Sequence, residues 1–361
     1  MRRFLLIANS SLLVAASVAF VTLATTAHAQ TITTFDPANS TSTVPQAINI
    51  FGQVTGYYTD GTGGHGFVRQ RNGQITKFDI TQGNPGGPVF AQDINPSGQI
   101  VGYFFSEITT RGFLRQPDGS IIILSAPTTT SNTPFAATAE PAPRQDCLLD
   151  NLLPVAINAL GQITGSYGNG RCIGFLRQPN GASIGFEVPP QLGPGIPFTV
   201  PEAINIFGQI TGYYSDANGR RGFLRKPSGT IIRFDVPNST GTTPQAINFF
   251  GQVAGNYQDT NFVEHAFLRQ PDGAMTTFDP SGSVGTHATA INLEGQITGY
   301  FTTADGKYHG FLRKRNGNIE IFEAPGANNG IFPRDINDVG QIVGYYQDPN
   351  FVLHGFLRSE R

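Results

Sequence analysis

Apolar residues in this chain come in short bursts cut by polar, glycine-bearing turns. The segment 201–237, PEAINIFGQITGYYSDANGRRGFLRKPSGTIIRFDVP, shows the pattern in full. Ala-Ile-Asn predicts a short strand, here called A. In Asn-x-x-Gly-Gln the Asn suits an Asx turn and the Gly tolerates positive φ, so a tight turn follows. Gln-Ile-Thr-Gly-Tyr-Tyr predicts strand B, and a polar loop of variable length leads to strand C, Gly-Phe-Leu-Arg. A second tight turn, Pro-Ser-Gly, precedes strand D, Thr-Ile-Ile-Arg-Phe-Asp. Four antiparallel strands in roughly 45 residues match one blade of a propeller. A solenoid coil would have a shorter period and no need of hairpin turns.

The pattern recurs seven times. Ile-Asn stands at Ile48-Asn49, Ile94-Asn95, Ile157-Asn158, Ile204-Asn205, Ile247-Asn248, Ile291-Asn292 and Ile336-Asn337, each followed by Gly-Gln and a second Gly. Strand C ends in Arg69, Arg115, Arg177, Arg225, Arg269, Arg313 and Arg358. Successive Gln residues are 43 to 47 apart, except for the 63 between Gln99 and Gln162, where an insertion at 128–153 holds Cys147. The last copy ends after strand C. Its missing strand D is found at the other end of the chain, where Ile-Thr-Thr-Phe-Asp-Pro at 32–37 matches Met-Thr-Thr-Phe-Asp-Pro at 275–280. Closure removes the unpaired edges an open ring would leave. The expectation is an all-β, seven-bladed propeller of four-stranded antiparallel blades. It forms one domain over 30–361 and is closed by residues 31–37 completing the last blade.

The recurring Ile-Asn-x-x-Gly-Gln-Ile-x-Gly and His-Ala/Gly-Phe-Leu units resemble the HAF family of probable extracellular repeats. His265-Ala266-Phe267 repeats the family's name motif. The resemblance covers nearly all of the chain after residue 29. It implies an exported, propeller-like repeat protein and no particular activity.

Net charge is −2 and charged residues make up 13% of the chain, which gives no basic surface for nucleic acid. Arg2-Arg3, an apolar run at 12–24 and Ala27-His28-Ala29 predict a secretory signal peptide over 1–29. That run is too short to span a membrane, and no second one follows. The localisation expected is therefore secreted, periplasmic or cell-surface, for a monomer. Cys147 and Cys172 are expected to form a disulfide over blade three, both lying on one face of the ring.

Positions filled identically in all seven copies read as structural. The seven Arg residues are expected to pair with the acids ending strand D: Asp36, Asp79, Glu187, Asp235, Asp279 and Glu323, with Ser125 the exception. His65, His265, His309 and His354 share the start of strand C. Equivalent residues of neighbouring blades stand too far apart there for a shared metal, so each is expected to bond within its own blade. The tight A–B and C–D turns fall on one face, and the variable B–C and D–A loops on the other. That loop face is the expected site of recognition, with a glycan or a protein as partner. Candidates on it are the exposed tips Phe262 and Phe351 and the loop aspartates Asp60, Asp216, Asp259 and Asp348. These aspartates read as Asx turns, with a Ca²⁺ site as the alternative and no other cofactor implied. Asp93 and Asp335 replace Ala on strand A beside the channel. They are the one arrangement resembling acid/base chemistry and so support an alternative reading as a hydrolase or lyase. A third reading is a purely structural surface component. The near-uniform strand A favours a non-enzymatic binding module.

Overall fold

The computed structural model describes residues 30–81, 87–106, 109–128, 151–168, 172–189, 198–217 and 219–360. Seven four-stranded antiparallel sheets make up the fold. Blade one is β2 (Ser42–Ile48), β3 (Val54–Asp60), β4 (Gly63–Arg69) and β5 (Ile75–Phe78), which serve as strands A to D. Blades two to six follow as β6–β9 (89–123), β10–β13 (151–186), β14–β17 (198–234), β18–β21 (241–278) and β22–β25 (283–322). Blade seven joins β26 (Gly330–Ile336), β27 (Ile342–Gln347) and β28 (Leu353–Glu360) to β1 (Gln30–Phe35), in the order β1-β28-β27-β26. The borrowed strand is therefore in place. Gln30 pairs with Glu360 and Phe35 with Gly355. The insertion is shorter than expected at its end, because Asn151 to Leu153 already belong to β10; residues 129–150 lie outside the described part.

Each strand A touches the strand A of both neighbouring blades, so these strands line the axis. Strand A is longer than Ala-Ile-Asn suggests, and in every blade it carries a β-bulge. The register slips between Pro45 and Ala47 in blade one, and between Pro333 and Asp335 in blade seven. A bulge is one of the few places where Pro is tolerated within a sheet. The bulge also explains the second Gly of the repeat. A Cβ on Gly56 would lie 2.2 Å from the Val44 carbonyl oxygen, and the same clash recurs at Gly344 against Phe332.

The core lies between blades. Strand-C phenylalanines such as Phe67, Phe113 and Phe356 are fully buried. Each meets the strand-D phenylalanine of the preceding blade edge-on, as Phe35 meets Phe67 at 6.2 Å and Phe322 meets Phe356 at 6.2 Å. The strand-C arginine covers the same strand-D ring: Arg69 lies over Phe35 at 4.8 Å, Arg313 over Phe278 at 4.7 Å and Arg358 over Phe322 at 5.1 Å. Blade three differs because Leu124 replaces the phenylalanine below Arg177.

This corrects the expected Arg–acid ring. Strands C and D run antiparallel, so the end of C lies beside the start of D. Arg69 is thus in register with Ile75. The acid at the end of D lies instead beside the start of C, where the histidine stands. Among the described residues only Arg358 of the seven meets carboxylates, Glu360 at 3.2 Å and Glu320 at 3.5 Å, and neither is a strand-D terminal acid.

Candidate ligand-binding site at the loop-face mouth

The histidines take the acids that the arginines do not. His65 Nδ1 meets Asp79 at 2.5 Å, and its Nε2 meets the loop aspartate Asp60 at 3.0 Å. His265 lies between Asp279 (2.8 Å) and Asp259 (3.7 Å). His309 meets Glu323. His354 lies between Asp348 (3.6 Å) and Asp36 (2.7 Å), the latter on the N-terminal strand 318 residues away. In blade four Arg221 replaces the histidine and bridges Asp216 and Asp235, each at 3.6 Å. The loop aspartates also form Asx turns: Asp259 Oδ1 accepts from the N–H groups of Asn261 and Val263, and Asp348 from Asn350 and Val352. Those hydrogen bonds hold the Asp259 and Asp348 carboxyls below the usual range. Among the described residues no three His, Cys, Asp or Glu side chains are grouped to hold a metal ion.

At the turn-face mouth the seven blades are joined by one circuit. The side-chain amide of Asn49 donates to the carbonyl of Asn95 (3.1 Å), Asn95 to Asn158, Asn158 to Asn205, Asn205 to Asn248, Asn248 to Asn292, Asn292 to Asn337, and Asn337 back to Asn49 (3.0 Å). Each Asn also donates to the Gln four residues on and accepts that residue's backbone N–H, as Asn49 does with Gln53. The turn tips beyond this ring are exposed and mostly apolar: Phe51, Leu160, Phe207, Phe250 and Val339. Phe207 and Phe249 touch at 4.9 Å across neighbouring blades.

The loop-face mouth is built from positions that differ between copies. One column runs Val44, Phe90, Leu153, Val200, Thr243, His287 and Phe332, each in register with a strand-B residue: Tyr57, Tyr103, Ser166, Tyr213, Asn256, Tyr300 and Tyr345. In blades six, seven, one and two this column forms an arc of rings. His287 stacks on Tyr300 (4.8 Å), Tyr300 meets Phe332 (5.2 Å), and Phe332 stacks on Tyr345 (5.0 Å). In blades one and two Tyr57 meets Phe90 (4.9 Å), and Phe90 stacks on Tyr103 (5.1 Å). All of these rings are half-buried, so each keeps part of its surface toward solvent. Tyr308 extends the arc outward, touching Phe332 at 5.0 Å. It also lines a cleft of about 420 Å³ with Lys307, His309, Glu323, Ala327, Asn328 and Gly330. Gly330, at φ 126°, lets the chain pass Tyr308 closely, for a Cβ there would stand 2.8 Å from the tyrosine's own.

The residues at the bulges form a second divergent column next to the axis: Gln46, Gln92, Val155, Glu202, Gln245, Thr289 and Arg334, all half-buried. Strand A is therefore not uniform where it matters, which corrects the sequence-based reading. Arg334 lies over Tyr345 at 5.4 Å. Its charge also lowers the phenol pKa values of Tyr57 and Tyr300, against the larger upward push of burial on both. Its Nε is buried without a hydrogen-bond partner. Glu202 is pushed up to about 8 by loss of water, partly opposed by the Arg220 charge.

Asp93 and Asp335 act as staples between blades. Asp335 accepts from its neighbour Ile336 N–H (2.8 Å) and, across the seam, from Ile48 N–H (2.8 Å). Asp93 does the same with Ile94 (2.8 Å) and Ile157 (2.7 Å). Desolvation outweighs these bonds and pushes Asp93 up to about 6 and Asp335 to about 7, the Asp93 charge adding to the latter. Phe262 and Phe351 stand at loop tips, 72% and 69% exposed, both at φ 64°. They lie on blades five and seven, apart from the arc. Buried Cys172 is disulfide-bonded; Cys147 lies outside the described residues, as do residues 1–29. Among the described residues no helix is long and apolar enough to cross a membrane.

No protein-family model matches this chain, and no curated protein matches it in sequence. Solved structures match its fold. A streptogramin B lyase is 12% identical at a TM-score of 0.55, over 91% of this chain and 97% of its own. A catalytically inactive variant of virginiamycin B lyase from Staphylococcus aureus, solved with quinupristin, is 15% identical at 0.57, over 91% and 99%. The β-propeller domain of the trilobed protease from Pyrococcus furiosus is 9% identical at 0.57, over 91% and 95%. At these identities the likeness is one of fold.

Proposed function

We propose that this chain is an exported, non-enzymatic binding propeller that recognises a glycan at the loop-face mouth of its channel. The observation that carries the reading is the arc of half-buried rings from His287 to Tyr103 across blades six, seven, one and two. Ring faces left open to solvent stack well on the apolar faces of sugars. Amides at Gln46, Gln92 and Gln245 supply hydrogen-bond partners for hydroxyls beside them. Export rests on the N-terminal pattern Arg2-Arg3, apolar run and Ala27-His28-Ala29.

A glycan array with the purified protein tests the reading. Specific signals that fall on Phe332→Ala and Tyr345→Ala support it. No signal above background, with the variants indistinguishable from the parent, sinks it. The rival reading, acid/base chemistry in the channel, draws on the raised pKa values of Glu202 and Asp335. Both oxygens of Asp93 and of Asp335 are engaged by backbone N–H groups, which leaves Glu202, among the described residues, as the channel carboxyl suited to it.

A further inference from the structure

We infer that the ligand class of this mouth is an acidic saccharide, its carboxylate held by Arg334 and its chain leading outward over Phe332 and Tyr308. The inference rests on the binding reading above and narrows it.

Three observations meet at blade seven. Arg334 stands at the bulge of β26, where the other blades carry Gln, Val, Glu or Thr, so it is the one cation in that column. No carboxylate pairs with its guanidinium among the described residues, and its buried Nε has no partner. A buried or half-buried cation normally brings its own counter-charge, because desolvating it alone is costly. Here its surroundings are the rings of Tyr345, Tyr57 and Tyr300, and Asp335, next in the chain, spends both oxygens on backbone N–H groups. A guanidinium left open beside ring faces suits a ligand that has both a planar anion and apolar faces. A carboxylate takes two parallel N–H bonds from such a fork, and the sugar ring that bears it lies against the aromatics.

The second observation is direction. From Arg334 the rings run outward through Phe332 to Tyr308, which walls the cleft between blades six and seven. Lys307 borders that cleft as a second cation, 3.7 Å from Asp305 and largely exposed. A chain with an acid on successive residues would meet Arg334 at its inner end and Lys307 further out. The third observation is that Glu202, the one acid in the same column, lies on blade four, on the far side of the ring, under the influence of Arg220.

The test uses calorimetric titration of the full-chain protein with fragments of polygalacturonate, alginate and hyaluronan. The same fragments with carboxyls reduced to alcohols serve as the neutral control. Arg334→Gln is the informative variant, because Gln already occupies this position in blades one, two and five and so is compatible with the fold. At least one oligouronate is expected to bind about tenfold or more tightly than its reduced form. Arg334→Gln is expected to abolish that preference and leave binding of the reduced form unchanged, while Arg334→Lys restores part of it. Equal affinity for acidic and reduced forms, or a preference untouched by Arg334→Gln, overturns the inference and leaves glycan binding standing. Binding of neither form overturns the inference too. In that case the array, read on Phe332→Ala, decides whether the broader reading falls with it.

Discussion

The two mouths of the channel are made from the same seven repeats and serve opposite ends. At the turn face every blade contributes the same Asn and Gln, and the side chains join in a closed hydrogen-bonded circuit. At the loop face each divergent column of strand A carries five residue types over the seven blades, and the linked rings gather mainly in blades six, seven, one and two. A part that must fit its neighbours seven times over is held to one solution. A part that meets a single ligand gains from breaking the symmetry. The contrast fits assembly at one face and the recognition proposed above at the other.

The comparison breaks most severely if the ring is opened. Deleting residues 30–36 removes β1, the Phe35 ring under Arg69, and Asp36 from His354. A loss of more than about 4 kcal/mol is expected, with self-association through the bared edge of β28. Urea unfolding and sedimentation velocity check it; a monomer of unchanged stability contradicts the role given to β1.

A smaller effect separates the two mouths directly. Asn158→Ala strips a partner from the Asn205 carbonyl and from the Gln162 N–H, and about 3 kcal/mol of destabilisation is expected. Arg334→Gln at the other side of strand A is expected to cost less than about 0.5 kcal/mol. Equal costs in urea unfolding would erase the proposed division of labour.

Acidity sharpens the contrast further. Asp335 holds its proton more tightly in the folded protein, at about 7, than in the unfolded chain, at the ordinary aspartate value of 3.8. The folded state therefore binds more protons between those two values, and this group adds stability as pH falls from 8 toward 4. The gain is at most about 1.4 kcal/mol per pH unit within that window. Asp335→Ala, the residue type found in five other blades, should flatten the rise in melting temperature between pH 8 and pH 5. An unchanged slope would mean the carboxyl is wetter than its position implies.

A modest effect is expected at the stacks between blades. Phe278→Leu would give Arg313 the apolar, non-aromatic floor that Leu124 already gives Arg177. A cost of about 1 kcal/mol is expected, read as a shift of the urea midpoint. No shift would leave the cation–ring contact without energetic weight.

Blade number, strand order and ring closure were all legible in the sequence, because each depends on what recurs. The match of 32–37 to 275–280 is enough to place β1 against β28. The pairing of charges was not legible from recurrence alone: Arg69 and Asp79 recur together, yet the antiparallel register puts His65 beside Asp79. The arc was missed for the opposite reason. Phe90, His287 and Phe332 share a column whose members differ, and a search for repeated residues passes over it. The signal was available as one of two variable columns on strand A. The bulge hid Arg334 in the same way, since Ala/Asp-Ile-Asn looks like the whole strand when the extra residue just before it is not counted.

Gln30 and Glu360 face each other as register partners at the outer corner of blade seven. With residues 1–29 and Arg361 removed, a short linker could bridge this corner, while the amide circuit has neither a first nor a last member. Joining these ends and cutting instead at the 270–274 turn of blade five would leave every blade with four strands. Such a rearranged chain should reach the same ring, with its new ends again on the turn face and the aromatic half of the opposite mouth undisturbed.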